Sequence, residues 1–389
     1  MARRLSILGS TGSVGRSTLD VVAGHVDRLV VAALAAGRNI PLLEAQARRW
    51  RPELIVAARD ADRSRLEPLA AELGAALACG DEGLVAAATL PGADTVVSAL
   101  PGGAGMVPTM AAVEQGRRVA LANKESLVMA GELLLAAARR TGAEIIPLDS
   151  EHSALEQCLR GRRPEEVRRL VLTASGGPFR GFHRRQLEQV TPGEALAHPT
   201  WAMGPKISID SATLVNKGLE LIEACCLFDM PPERVEVVVH PQSLVHALVT
   251  FVDGASLAQF APPDMKLPIR RALSFPETWG PPFDPPLDLQ RCGPITFEPV
   301  DHGTFPSITL ARQALAAGGT APAAYSAANE AAVAAFLEGR IAFPRIWGLI
   351  TAVLERQNIV PADSLEVVQA AADEARRRVA ALTEGVAER

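Results

Sequence analysis

The stretch "AEIIPLDSEHSAL", residues 143–155, ends an apolar run in Asp149, Ser150, Glu151 and His152. In an extended chain residues two apart point the same way, so Asp149 and Glu151 would aim their carboxylates at one point. Two like charges that close repel unless a proton or a cation sits between them. The same letters also fit a helix start, with Ser150 as N-cap and Glu151 near the positive end of the dipole. On this stretch alone both readings stand.

A second stretch, "KISIDSATLVNKGLELIEACCLF", reads as a strand "KISID" followed by a helix that starts near Ser211. On that helix Glu220 lies four residues after Asn216 and three after Lys217, so the three share a face. Leu219, Ile222 and Cys226 belong to the other side. Ser211, Asn216 and Lys217 suit a phosphate, and Glu220 a cation; the plainer alternative is a Lys217–Glu220 surface ion pair. In "TASGGPF", Ser175-Gly176-Gly177 suits a nest of backbone N–H groups with a serine donor, a second phosphate seat, or simply a turn. "HPTWAMGPKIS" reads as a lid over about 197–206, with Trp201 covering a ligand, or else as His198 and Trp201 packed at a seam.

Arginine outnumbers lysine 35 to 4, so the lysines Lys124, Lys206, Lys217 and Lys266 stand out. A compact ammonium is not interchangeable with a guanidinium fork. Lys124 lies in "ALANKESLVMAGELL" with Asn123 and Glu125, between a strand and a helix, where open α/β sheets place their ligands.

Near the N-terminus, "ILGSTGSVGRSTLDVV" sets Gly9, Gly12 and Gly15 between a strand and a helix. Glycines there permit a tight turn and close approach of the backbone to a pyrophosphate. Ser10, Thr11 and Ser13 add hydroxyls, and the helix N-terminus favours an anion. The next strand ends in Gly37, Arg38 and Asn39 without the acidic residue that holds the ribose diol of NAD. A cation and an amide suit a 2'-phosphate, so NADPH is expected over NADH.

These residues need a scaffold. Residues 1–150 alternate buried strand patterns with amphipathic helices, which predicts a Rossmann-like, doubly wound parallel sheet. Residues 151–275 predict a central α+β catalytic domain, with "SLVHALVTFV" and "ASLAQFA" as a hairpin through Asp253-Gly254. The proline-rich span 276–300 reads as an extended linker, and 301–389 as an all-α domain. The 389 residues allow two or three domains, and 48% apolar with 21% charged is ordinary for a soluble globular protein. No apolar run nears the roughly 18 residues a membrane helix needs. Neither a signal peptide nor a membrane partner is expected. Five scattered cysteines without a CxxC fit a reducing cytoplasm, and a net charge of −5 gives no nucleic-acid footprint. The alternating apolar residues near 244–260 suggest a homodimer contact.

Seven blocks, "GSTGSVG", "ANKES", "LDSEHSA", "TASGGPF", "HPTWAMG", "SATLVNKGLELIEA" and "HPQSLVHALV", occur in the order seen in the 1-deoxy-D-xylulose 5-phosphate reductoisomerase family. The chain resembles that family nearly end to end. The resemblance implies that Thr11, Gly12, Ser13 and Val14 hold the pyrophosphate of NADPH and that Gly37, Arg38 and Asn39 surround the ribose phosphate. It implies further cofactor contacts from Asn123, Glu125 and Gly204. Substrate residues would be Lys124, Ser150, Glu151, Ser175, His198, Trp201, Ser211, Asn216, Lys217 and Glu220. Asp149, Glu151 and Glu220 would ligate Mg²⁺ or Mn²⁺, and with Lys124 and His198 would form the catalytic set. An all-oxygen donor set suits a hard divalent cation and is poor for zinc. Arg38 stands where relatives often have lysine, and Pro205 where a basic residue is common. The expected reaction is metal-assisted rearrangement of a pentulose phosphate followed by hydride transfer to a branched aldehyde. A dehydrogenase that only transfers hydride, or an NADPH-binding redox sensor, would need no carboxylate triad.

Overall fold

In the computed structural model the described residues are 2–201, 203–280 and 286–384. In chain order the first half runs β1 (Arg3–Leu8), α1 (Ser13–Ala23), β2 (Leu29–Ala36), α2 (Ile40–Trp50), β3 (Leu54–Ala57), α3 (Arg63–Leu73), β4 (Ala76–Cys79), α4 (Gly80–Ala88), β5 (Thr95–Ser98), α5 (Met106–Glu114), β6 (Arg118–Leu121), α6 (Lys124–Thr141), β7 (Ile145–Pro147) and α7 (Ser150–Leu159). There follow β8 (Val167–Ala174), α8 (Arg184–Leu187), α9 (Pro192–Leu196), α10 (Pro205–Ala212), α11 (Val215–Leu227), β9 (Val235–Val239), β10 (Val245–Phe251), β11 (Ser256–Phe260) and α12 (Lys266–Ser274). The last helices are α13 (Ser307–Ala317), α14 (Ala321–Leu337), α15 (Arg345–Arg356) and α16 (Leu365–Glu384).

The chain forms two compact units. The first takes residues 2–126, 134–153 and 264–280, so α12, placed by sequence in the central domain, belongs here. Among the described residues its sheet is seven-stranded, in the order β4-β3-β2-β1-β5-β6-β7. All pairings are parallel, with Leu5 opposite Thr95, Val96 opposite Val119 and Ala120 opposite Ile146. The strands are near-continuous apolar runs because helices cover both faces. Strand order reverses at β1, so a crevice opens at the carboxyl edge beside it. Every loop singled out above in this half leaves that edge: residues 9–15 after β1, 37–39 after β2, 123–125 after β6 and 149–151 after β7.

The second unit takes 127–133, 154–263 and 286–384. Its four-stranded sheet has the order β11-β10-β8-β9, with β8 and β9 parallel and β10 antiparallel to both β8 and β11. The β10–β11 hairpin and the helices after 301 match the sequence expectation. Of the expected linker, 281–285 lie outside the described residues, and the described part holds a 3-10 turn at Leu289–Arg291 and a bridge from Glu298 to Val239.

One expectation is overturned. "KISID" is not a strand but the body of α10, capped by extended Gly204 with Pro205 at the first turn. The alternation of Ile207 and Ile209 mimics a strand, but proline at the first helical position, with its fixed φ, starts a helix. Ser211 therefore closes α10 instead of opening α11.

Aromatic side chains concentrate where the helices of the second unit meet. The Phe343 ring meets those of Phe179, Phe336 and Trp347 at 5.1, 5.4 and 5.5 Å, all edge-on. Such contacts add to simple area burial. Gly218 lets α11 lie against this layer: a Cβ there would strike the Tyr325 hydroxyl and come within 3.1 Å of both Ala311 Cβ and Ser307 O. Alanine normally stabilises a helix interior by about 1 kcal/mol over glycine. Gly218→Ala is expected to do the reverse, lowering stability by about 1–3 kcal/mol in denaturant unfolding. Adding Tyr325→Phe should recover part of that loss, and a stabilised single variant would refute the close approach.

Candidate active site

In the first unit the glycine loop is built by contact as well as conformation. Gly9 has φ +89, and a Cβ there would lie 2.5 Å from the carbonyl oxygen of Ala99. A Cβ on Gly15 would overlap Gly9 O, so only glycine lets α1 start this close to the end of β1. Gly12 caps α1 in extended conformation, and Gly12 and Ser13 are exposed beside half-buried Thr11 and Val14. Ser10 departs from expectation. It is fully buried, its hydroxyl donates to Gln46 Oε1 at 2.8 Å, and Gln46 Nε2 donates to Ser10 O at 2.9 Å. Its role is to hold the loop.

Arg38 and Asn39 are exposed at the end of β2. Asn39 Oδ1 caps α2 by accepting from Leu42 N at 3.1 Å, which leaves the amide Nδ2 for an anion. Asn123 is buried and caps α6, while its Nδ2 donates to the carbonyls of Leu100 (2.7 Å) and Gly102 (2.8 Å) and to Glu125 Oε2 (3.1 Å). Its side chain thus ties the loop after β5 to the loop after β6.

Lys124, with its side chain 4% exposed, pairs with Asp149, at 13%. Asp149 and Glu151 do not alternate along a strand. β7 stops at Pro147, α7 begins at Ser150, and Asp149 O accepts from Ser153 N at 2.8 Å as a cap residue does. The two carboxylates therefore flank a helix start, and Ser150 Oγ donates to Glu151 Oε2 at 2.7 Å. The helix-start reading is right about local structure, with Asp149 in the cap position expected of Ser150.

In the second unit, Gly176 and Gly177 both have positive φ, +86 and +67. A Cβ on Gly177 would sit 2.9 Å from Ser211 O and 3.0 Å from Ala212 Cα, so this loop lies directly against the end of α10. The loop that carries Ser175 and the helix end that carries Ser211 are brought together in this way. Ser175 Oγ accepts from Gly177 N at 3.2 Å and pairs with His198 Nε2 at 2.9 Å. His198 Nδ1 accepts two backbone N–H groups, from Thr200 (3.1 Å) and Trp201 (2.9 Å). That assigns the ring proton to Nε2, which then donates to Ser175. Burial holds the His198 pKa below the usual histidine value, favouring this neutral form. Gly204 is exposed, and Trp201 is half-buried with its ring 6.3 Å from that of His246. Ala202 lies outside the described residues.

The polar face of α11 is not on the surface. Lys217 and Glu220 side chains are 6% and 2% exposed and pair at 2.5 Å, and Asn216 Nδ2 donates to Glu220 Oε1 at 2.5 Å. A buried ion pair is weak evidence for stability, because the desolvation penalty can exceed the attraction. Its donor set is oxygen and ammonium without thiolate or imidazole, which fits a hard cation and a phosphate.

Three family models match this chain. The first, 1-deoxy-D-xylulose 5-phosphate reductoisomerase, covers residues 5–131; its C-terminal domain covers 145–228; and the DXP reductoisomerase C-terminal domain covers 260–378. The chain belongs to the 1-deoxy-D-xylulose 5-phosphate reductoisomerase family. The member from Thermomicrobium roseum is 54% identical over 90% of both chains. The one from Moorella thermoacetica is 50% identical over 99% of this chain and all of its own. A crystal structure of DOX-P reductoisomerase in complex with NADPH, fosmidomycin and magnesium superposes with TM-score 0.94 at 40% identity, covering 98% of each chain. The Zymomonas mobilis reductoisomerase in complex with NADPH gives 0.91 at 43%, covering 98% and 99%.

Within this reductoisomerase family frame, sequence reasoning passed over two residues near those it named. Glu223 is buried one turn beyond Glu220, a spacing visible in the sequence. His246, on β10, meets Trp201, and no spacing rule connects positions so far apart. The His198 tautomer is directly measurable. Nitrogen-15 spectra of labelled histidine should show His198 as the Nε2–H form at pH 7.5, titrating below 6.5. Because the folded pKa is lowered, its contribution to stability is present above pH about 6.5 and is lost as pH falls through the folded value. An Nδ1–H form or a raised pKa would refute the assignment.

Proposed function

We propose that the named residues act in this chain as their positions in the family imply. The chain is an NADP-dependent oxidoreductase that converts 1-deoxy-D-xylulose 5-phosphate to 2-C-methyl-D-erythritol 4-phosphate, with a divalent metal, in isoprenoid biosynthesis. When bound, NADPH supplies the hydride and Mg²⁺ or Mn²⁺ supplies positive charge for the substrate's carbonyl and hydroxyl oxygens.

The chain's own residues do the rest. The turn at Thr11, Gly12, Ser13 and Val14, exposed at Gly12 and Ser13, receives the pyrophosphate at the N-terminus of α1, and the Gly9–Gly15 contact leaves the room a side chain would fill. Gly37, Arg38 and Asn39 take the ribose 2'-phosphate, while Asn123, Glu125 and Gly204 complete the cofactor contacts. Ser175, Ser211, Asn216 and Lys217 bind the substrate phosphate. His198 orients Ser175 through its Nε2–H and pins the lid backbone through Nδ1. Trp201 excludes water when the lid covers the substrate. Lys124 and Ser150 hold the substrate's reacting end, and Asp149, Glu151 and Glu220 hold the metal. The buried Asn216–Lys217–Glu220 face carries this reading, because an amide, an ammonium and a carboxylate shielded together are the groups that would hold a phosphate and a hard cation.

The proposed functional division is 1–150 mainly for cofactor, with Lys124, Asp149 and Ser150 serving substrate and metal, 151–275 mainly for metal and substrate, with Gly204 serving the cofactor, a 276–300 linker and a supporting 301–389. Among the described residues no helix is long and apolar enough to cross a membrane. A cytoplasmic location is the proposal that fits five free thiols. Homodimer formation would use the sheet edge at β11, where Leu257 and Phe260 are 41% and 44% exposed.

NADPH oxidation with 1-deoxy-D-xylulose 5-phosphate should be steady and abolished by EDTA. NADPH should exceed NADH by at least about tenfold in kcat/KM, about 1.4 kcal/mol, and Arg38→Asp should erode that preference. EDTA-resistant turnover, or equal use of both cofactors, would contradict the metal or the 2'-phosphate assignment respectively.

A further inference from the structure

Of the rare lysines, Lys206 and Lys266 have no role above, and Lys206 is the more shielded of the two. Lys206 is the second residue of α10, and its ammonium pairs with Asp210 Oδ2 at 2.7 Å. Asp210 is completely buried, and its other oxygen, Oδ1, accepts from Asn329 Nδ2 on α14 at 2.8 Å. Asn329 is also completely buried. One turn before it, burial and then the charge of Asp210 push the Tyr325 hydroxyl pKa up. A carboxylate taken wholly out of water costs far more than an apolar side chain of the same size, so stability alone does not call for one here. What such a group gives is direction: the amide hydrogen bond from α14 fixes α10 in rotation and height where apolar contacts would let it slide, and Lys206, on the same helix as Asp210, balances the carboxylate that accepts it.

The residue after Asp210 is Ser211. Two further contacts from the same helices grip the chain close by. Thr213 O accepts from Ser307 Oγ at 2.6 Å and from Trp347 Nε1 at 3.2 Å, at a corner where Leu214 has φ +59. Gly218 meets Tyr325, Ala311 and Ser307. The anchored positions 210, 213 and 218 interleave with Ser211, Asn216 and Lys217. We propose that Asn329, acting through Asp210 and Lys206, is a positioning residue that sets Ser211 for the substrate phosphate, and that α13–α15 form the body which holds the phosphate corner in place. The proposal rests on the assignment of Ser211 and Lys217 to that phosphate. Lysine suits the task because a flexible stem delivers a point charge to one carboxylate oxygen four residues on, where a planar fork would demand two.

The test uses the full chain with NADPH and Mn²⁺ and compares Lys206→Met, Lys206→Arg and Asn329→Leu with Ser211→Ala and Lys217→Ala. Four quantities are read: KM for 1-deoxy-D-xylulose 5-phosphate, kcat, the inhibition constant of inorganic phosphate, and the NADPH dissociation constant. Lys206→Met and Asn329→Leu should raise KM and the phosphate inhibition constant together by about tenfold, leave kcat within about threefold, and leave NADPH binding unchanged. Lys206→Arg should recover part of the loss. If Ser211→Ala and Lys217→Ala weaken phosphate while the network variants change only melting temperature, the positioning role is refuted and the phosphate site stands. If Ser211→Ala and Lys217→Ala also leave KM and phosphate inhibition untouched, the phosphate assignment fails and the proposal falls with it. Should Asn329→Leu not fold, Lys206→Met decides by the same criteria, since that side chain is 18% exposed.

Discussion

A charge removed from water must be compensated where it stands, and at three places this chain compensates a shielded carboxylate with lysine. Lys124 faces Asp149, Lys217 faces Glu220 and Lys206 faces Asp210, each pair largely shielded from solvent. Lys266, with Asp264 at 3.3 Å, is the more exposed exception. Where the chain needs a cation at the surface it uses arginine, as at Arg65 with Glu44 or Arg169 with Glu236. In two of the pairs the carboxylate is a proposed metal ligand and the ammonium a proposed substrate contact. A divalent cation on the carboxylates and substrate oxygens on the ammonium groups would exchange one compensation for another.

The scaffold supplies these groups by two different routes. In the first unit a parallel sheet does it by topology, because every strand ends at the same edge and each following loop delivers its residues there. In the second unit the α10–α11 corner does it by packing, with helices from the end of the chain pressed against glycine and hydrogen-bonded to Asp210 and Thr213. The first route tolerates change in the helices. The second does not, since Gly218, Ser307 and Tyr325 share one contact.

That difference decides what the sequence reveals. The glycine loop was legible because its demands are local: positive φ at Gly9 and a missing Cβ at Gly15 leave a mark within seven residues. The missing acid after β2, the hairpin of β10 and β11 and the polar face of α11 were legible for the same reason. The state of that face was not. Whether Lys217 and Glu220 lie on the surface or in the interior depends on what other elements pack around α11, and no periodicity within α11 reports it. Ser10 was misjudged likewise, because Gln46 claims its hydroxyl from another element. The strand reading of "KISID" failed for a simpler reason: alternation of two isoleucines was weighed above the Gly204-Pro205 start signal. The pairing of Asp149 and Glu151 was argued from an extended geometry, which the helix start at Ser150 replaces.

The central claim is that carboxylates far apart in sequence, Asp149, Glu151 and Glu220, serve one divalent cation. Mn²⁺ titration followed by electron paramagnetic resonance, with NADPH binding measured in parallel, tests it most directly. Asp149→Asn, Glu151→Gln and Glu220→Gln should each weaken Mn²⁺ by about tenfold or more with NADPH affinity unchanged. A double variant should lose much less than the sum of its singles, as residues acting on one ion do. Wild-type Mn²⁺ affinity in Glu220→Gln would contradict the claim and reduce Glu220 to the buried partner of Lys217.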